Sequence, residues 1–193
     1  MTGLGQGVEM EIQPSRRRFT VDQSHTMMAA GVFTEDDRLE LVKGEIVEMF
    51  PIGTPHATCV WKLNYLLNAS PRNLLIDIQN PLRLSDASEV YPDLMVLKYQ
   101  ANMYADRIPN AQDALLVIEV SDSTLLYDRT VKLPRYAAAG VAEVWIVDLN
   151  AERVLVHRDP LDGVYGQVAE VKKDGTLSVA AREGLELNLA DIL

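Results

Sequence analysis

Ala114-Leu115-Leu116-Val117-Ile118-Glu119-Val120 is an unbroken apolar run interrupted near its end by a single carboxylate. Such a run belongs to a central strand buried on both faces. On the N-terminal side, Tyr91-Pro92-Asp93-Leu94-Met95-Val96-Leu97 reads as a second strand and Leu74 to Gln79 as a third. On the C-terminal side, Asp128 to Ala139 reads as helical in part. Pro134 either kinks this helix or starts it after a short turn, and Gly140 stops it. Glu143 to Asp148 is a further strand, with Arg153 to Arg158 as its hairpin partner. After Gly163, Tyr165 to Lys172 and Leu177 to Ala180 read as peripheral strands, and Leu185 to Leu193 either packs or frays.

The first third of the chain adds a helix over Phe19 to Ala30, with Thr20 as N-cap and Gly31 ending it. Arg38 to Val42 and Glu45 to Met49 alternate about Lys43-Gly44, a hairpin signal that puts Glu40 on the face opposite Leu39 and Leu41. Thr54-Pro55 opens a second helix in which Val60, Leu63, Leu66 and Leu67 recur at helical spacing. Residues 1–18 read as a flexible lead-in, in which Arg16-Arg17-Arg18 is a solvated run, and residues 19–193 as one domain. The order predicts a mixed α/β sandwich with a central sheet and helices on its faces.

The 193-residue chain is long enough to bury a core without disulfides, and its 48% apolar content suits a globular protein. No apolar run approaches the roughly 20 residues that span a bilayer. No signal pattern is read at the N-terminus, so cytoplasmic residence is expected. Cys59 reads as a small buried hydrophobe, and with His25, His56 and His157 it matches no zinc spacing. A net charge of −10 argues against a general nucleic-acid coating protein but leaves room for a carboxylate cluster with bound cations.

A carboxylate inside an apolar strand is costly unless something pairs with it. Glu119 is in that position, and Asp93 opens another apolar strand. If the two strands are neighbours, the carboxylates converge and repel, and a hard divalent cation removes the repulsion. The plainer reading is that Asp93 caps a turn and Glu119 marks the wet end of a strand.

At this point the sequence resembles the Uma-type family of restriction-endonuclease-like proteins, abundant in cyanobacteria and related bacteria, a branch of the PD-(D/E)xK nuclease superfamily. The segments that carry the resemblance are 39–49, 79–84, Tyr91-Pro92-Asp93-Leu94, 116–122, and Asp128 through Lys132 and Gly140 into 143–148. The resemblance implies a restriction-endonuclease-like α/β (α+β) core. It implies that Asp93 and Glu119 are metal ligands, that the Val120 carbonyl sits beside them, and that Glu40 assists through a water or a second ion. It implies magnesium or manganese as cofactor and DNA as substrate. The superfamily lysine should stand two residues after Glu119, where this chain has Ser121. Lys132, on the following helix, is the displaced candidate, with Arg129 and Tyr136 on its helical face. The plain alternative is a solvated helix lysine.

Gln79 is a plain strand residue or a contact to the site. His56 is a capping residue or a base. Ser121 and Asp122 read as polar residues turning the chain, and Trp61 and Trp145 as core or interface residues. The expected function is a metal-dependent DNA endonuclease, with a homodimer expected because nucleases that cut both strands often pair. The alternatives are a non-catalytic nuclease-fold binding or regulatory protein, and an acidic structural partner without metal.

Overall fold

The computed structural model describes residues 15–34, 36–69, 74–180 and 184–193, so most of the expected lead-in lies outside the described residues. Local sequence sets the first elements. Thr20 accepts a hydrogen bond from the Gln23 amide, and Gln23 Oε1 accepts one from the Thr20 amide. This capping box starts α1 (Val21–Ala29), and Gly31 takes the left-handed conformation just beyond it. The hairpin β1 (Leu39–Val42) and β2 (Glu45–Glu48) turns at Lys43-Gly44, both at positive φ. A Cβ at Gly44 would lie 2.8 Å from the Arg18 Cβ and 2.9 Å from the Phe19 carbonyl oxygen. Pro55 sits in the first turn of α2 (Thr54–Asn68), which buries Cys59, Val60, Leu63 and Leu67.

The chain continues through β3 (Leu74–Ile78), β4 (Leu82–Ser85), β5 (Ser88–Val90), β6 (Leu94–Lys98) and β7 (Ala114–Ser121). It then passes through α3 (Leu125–Tyr127), a π-helical turn (Asp128–Lys132) and α4 (Leu133–Ala139). It ends with β8 (Glu143–Asp148), β9 (Arg153–Leu161), β10 (Val164–Lys172), β11 (Thr176–Ser178), β12 (Glu186–Asn188) and a 3₁₀ turn (Leu189–Asp191). A six-stranded mixed sheet has the order β10-β9-β8-β7-β6-β3. One apolar core lies on its α2 side and takes in Leu185, Leu187, Leu189 and Ile192, so the C-terminal tail packs rather than frays. The other face packs against α4 and a second sheet, β2-β1-β5-β4. Strands β4 and β5 are too short and polar for the sequence to have announced them. The chain crosses between sheets at Tyr91-Pro92-Asp93, where proline interrupts the ladder between β5 and β6.

β7 is central, as its composition demands, and Trp145 is fully buried in β8 beside it. Trp61 is not part of the core: it lies on the outer face of α2, 68% exposed. β7 and β8 pair in parallel, and parallel neighbours need a crossover. The segment 122–142 supplies it, and so begins at the C-terminal end of β7.

Pro134 follows the second of the two expected ways, a turn before a helix that begins next to the proline, with the turn of π type. The π turn runs directly into α4 and leaves Pro134 in the first turn of α4, where a missing amide is tolerated. A π turn holds more residues than an α turn and rotates what precedes it. Arg129, expected beside Lys132 and Tyr136, is therefore exposed, and Asp128 is buried in its place.

Among the described residues no helix is long and apolar enough to cross a membrane. One buried group gives the fold a pH dependence. His157 on β9 is 5% exposed, stands 5.8 Å ring to ring from Tyr165, and neither of its nitrogens finds a partner among the described residues. Burial, helped by the Arg129 charge, pushes its pKa down to about 4. The unfolded chain, with His157 near its ordinary value of about 6.5, binds the proton more readily. The neutral ring thus contributes fully above about pH 6.5, and its contribution is lost as pH falls toward about 4. We expect stability to drop by on the order of 2 kcal/mol across that window from this group. His157→Leu should flatten that drop in urea melts at pH 7, 5.5 and 4.5, and an unchanged drop would assign the acid sensitivity to other groups.

Candidate active site

Register brings the first two carboxylates together. β6 and β7 pair antiparallel with Leu94 opposite Ile118. Asp93, one residue before β6, therefore faces the Glu119 position one residue further along β7. The crossover that leaves β7 carries Lys132 back over the same sheet end, and β1 of the second sheet brings Glu40. Tyr91, at the crossing between sheets, donates its backbone N–H to Glu40 Oε1 at 3.0 Å.

The Lys132 ammonium lies 2.9 Å from Glu40 Oε1 and 3.0 Å from Glu119 Oε1, with all three side chains buried. The Tyr136 hydroxyl, one helical turn beyond Lys132, donates to the same Glu119 oxygen. Asp93 borders the same cleft but has other partners. Its Oδ2 accepts from the Val120 amide at 2.8 Å and lies 3.0 Å from His56 Nε2, and its Oδ1 accepts from Gln79 Nε2 at 3.3 Å. A carboxylate only accepts, so the His56 proton is on Nε2. Nδ1 of the same ring is buried without a partner among the described residues. Gln79 holds a left-handed backbone, φ 52°, an uncommon conformation for a non-glycine residue. Asp128 is buried and accepts from Ser121 Oγ at 2.8 Å and Thr124 Oγ1 at 2.6 Å. Ser121 is thus the buried end of β7 rather than a turn residue.

Burial decides the electrostatics. It pushes the Glu119 carboxyl up to about 8; Asp128, Asp93 and Glu40 push the same way, and Lys132 opposes them. Burial alone would lower Lys132, but Glu119 and Glu40 outweigh it and hold the ammonium above the usual lysine range. Burial, and then Glu119, raises the Tyr136 hydroxyl well above its ordinary value, so it stays a donor. The cleft, about 660 Å³ including its open mouth, is lined by Glu40, Glu48, Asp93, Glu119, Asp122 and Asp128. Only Arg38, Lys132 and His56 on that lining can carry positive charge. The surplus of hard oxygen donors fits a magnesium- or manganese-type cation. Among the described residues, however, no three or more His, Cys, Asp or Glu side chains are grouped as a metal cage. Two carboxylates suffice for magnesium, which keeps several waters and commonly takes further ligands from substrate phosphates.

Sequence reasoning missed Asp128 and left open whether His56 and Gln79 reach the site. His56 and Asp93 are 37 positions apart, and no spacing signals their contact. Asp128, Lys132 and Tyr136 stand at i, i+4 and i+8, so helical spacing alone could have found Asp128.

No curated protein matches this sequence. A solved structure does: "Crystal structure of a putative nuclease belonging to DUF820 from Anabaena variabilis ATCC 29413". The two superpose with a TM-score of 0.70 at 16% sequence identity, over 90% of this chain and 97% of that one, which establishes a shared fold. Residues 21–190 match the family Uma2, described as "Putative restriction endonuclease". With that match spanning every strand and the residues that line the cleft, the chain belongs to the Uma2 family.

Proposed function

We propose that this protein is a divalent-metal-dependent DNA endonuclease of the PD-(D/E)xK type, hydrolysing a phosphodiester bond in the cleft between its two larger sheets. The observation that carries the reading is the Lys132 ammonium, 3.0 Å from Glu119 although thirteen residues beyond it in the chain. It supplies from a helix the cation that Ser121 cannot supply from the strand. Asp93 Oδ1 and the Glu119 carboxylate are the metal-holding groups in this reading, and DNA as substrate follows the family.

A bound magnesium or manganese ion would polarise the phosphoryl group and lower the pKa of a coordinated water. The chain's own groups have separate tasks. Lys132 offsets negative charge as it builds on the phosphoryl oxygens. Glu40, anchored by the Tyr91 amide, holds the ammonium beside Glu119. Tyr136 fixes the Glu119 rotamer, while Val120, His56 and Gln79 fix Asp93, leaving Oδ1 the less engaged of its oxygens.

A second reading, a nuclease-fold binding or regulatory protein without turnover, draws on the absence of a three-ligand metal cage among the described residues. It also draws on Lys132, whose contacts are already with Glu40 and Glu119. Cleavage tests separate the two readings.

Lys132→Met keeps the stem and removes the charge. We expect it to lower manganese-supported cleavage of DNA by about a hundredfold or more, as for loss of a transition-state contact. Manganese affinity by calorimetry should be unchanged or tighter, because Glu40 and Glu119 lose their competing cation. Equal cleavage by both proteins at saturating metal would remove Lys132 from the mechanism. No cleavage by either would favour the binding protein.

His56 gives an independent check. His56→Gln can still present an N–H toward Asp93, whereas His56→Ala cannot. We expect the alanine variant to weaken manganese binding severalfold and the glutamine variant to restore most of it. Equal weakening in both variants, at matched melting temperatures, would show that the Asp93 contact is not what matters.

A further inference from the structure

The cleft has an apolar wall that the chemistry of hydrolysis does not use. The loop from β2 to α2 presents Phe50, Pro51 and Ile52 along it, with Phe50 50% exposed and Ile52 39% exposed. The Phe50 ring stands edge-to-face against Tyr127, centroids 5.8 Å apart and planes at 67°. The Tyr127 hydroxyl is buried and has no partner among the described residues, and Leu126 beside it is 77% exposed. Exposed aromatic and aliphatic groups along an open cleft suit a ligand with a flat apolar face, and an unstacked nucleobase has one.

Charge selects between forms of nucleic acid. The chain carries a net charge of −10, and carboxylates dominate the cleft lining. A duplex brings a phosphate charge about every 1.7 Å of axis and a single strand about every 3.4 Å. An acidic cleft is therefore a poor seat for two backbones and a better one for a single backbone whose bases add stacking. Within a smooth duplex the bases are already stacked on each other and hidden from Phe50.

Resting on the nuclease reading for the choice of DNA, we propose that the Phe50–Tyr127 wall is a base-stacking subsite and that the protein acts on unpaired DNA strands. Exposed single strands, flaps and frayed ends belong to this class, and continuous duplex does not. Phe50 and Ile52 contact the base face, and the Tyr127 ring supports Phe50 edge-to-face from behind.

The test is fluorescence anisotropy with a labelled twelve-nucleotide single strand and its matched duplex, in magnesium, using the full chain. The single strand should bind at least tenfold more tightly. Phe50→Ala should weaken single-strand binding by about tenfold, within the range for loss of one stacked base. Trp61→Ala, which removes a still more exposed aromatic away from the cleft, should leave it unchanged. Equal or tighter duplex binding, no binding of either probe, or equal losses from Phe50→Ala and Trp61→Ala would each overturn the proposal. So would sedimentation showing that Phe50→Ala dissolves a dimer while strand binding stays intact, since the wall would then be covered by a second copy. Cleavage is read separately: a strand that binds through Phe50 but is never cut counts against the nuclease reading and for the stacking subsite.

Discussion

The architecture of the cleft turns on one constraint: Glu119 is a carboxylate inside a strand that is otherwise apolar and buried on both faces. Left alone, it would cost several kcal/mol or give up its charge. The fold answers with Lys132 and Tyr136, both from the crossover that parallel pairing of β7 and β8 makes necessary. The π turn is part of that answer. It places Lys132 and Asp128 inward, lets Pro134 fall where its missing amide is harmless, and turns Arg129 out to solvent. A buried ion pair of this kind is weak evidence for stability, because desolvation offsets most of the attraction.

The second sheet follows from the same constraint. Glu40 comes from β1, and it meets Lys132 only because β1 pairs with β5 and the chain then steps through Tyr91-Pro92-Asp93 into β6. That step also fixes Asp93 opposite Glu119. The site therefore lies at the seam where one short segment leaves one sheet and enters another. Its residues are dispersed in the sequence, with Glu40, Asp93 and Glu119 set by strands and their ends and Lys132 by the helical crossover that follows β7.

Much of this was legible in the sequence, for identifiable reasons. The run Ala114 to Val120 could only be a central strand. The Thr20 cap, the Lys43-Gly44 turn and Pro55 each carry a local signal that the structure reproduces. Glu40, Asp93, Glu119 and Lys132 were nameable because ordered motifs, rather than any one of them, mark the family. The π turn was not legible, since one extra residue in a helical turn leaves no compositional trace. Strands β4 and β5 were hidden by their shortness. The contacts of His56 and Gln79 with Asp93 depend on tertiary placement, and the exposure of Trp61 depends on the outer face of α2 facing nothing among the described residues.

The most direct test of the account is a crystal structure grown with manganese, with anomalous scattering used to locate the ion. The account predicts one ion in the cleft, bound by Asp93 Oδ1 and the Glu119 carboxylate, with the Lys132 ammonium still within about 4 Å of Glu119, a salt-bridge distance. A cleft without anomalous density at saturating manganese, with Lys132 bridging Glu40 and Glu119, would contradict it.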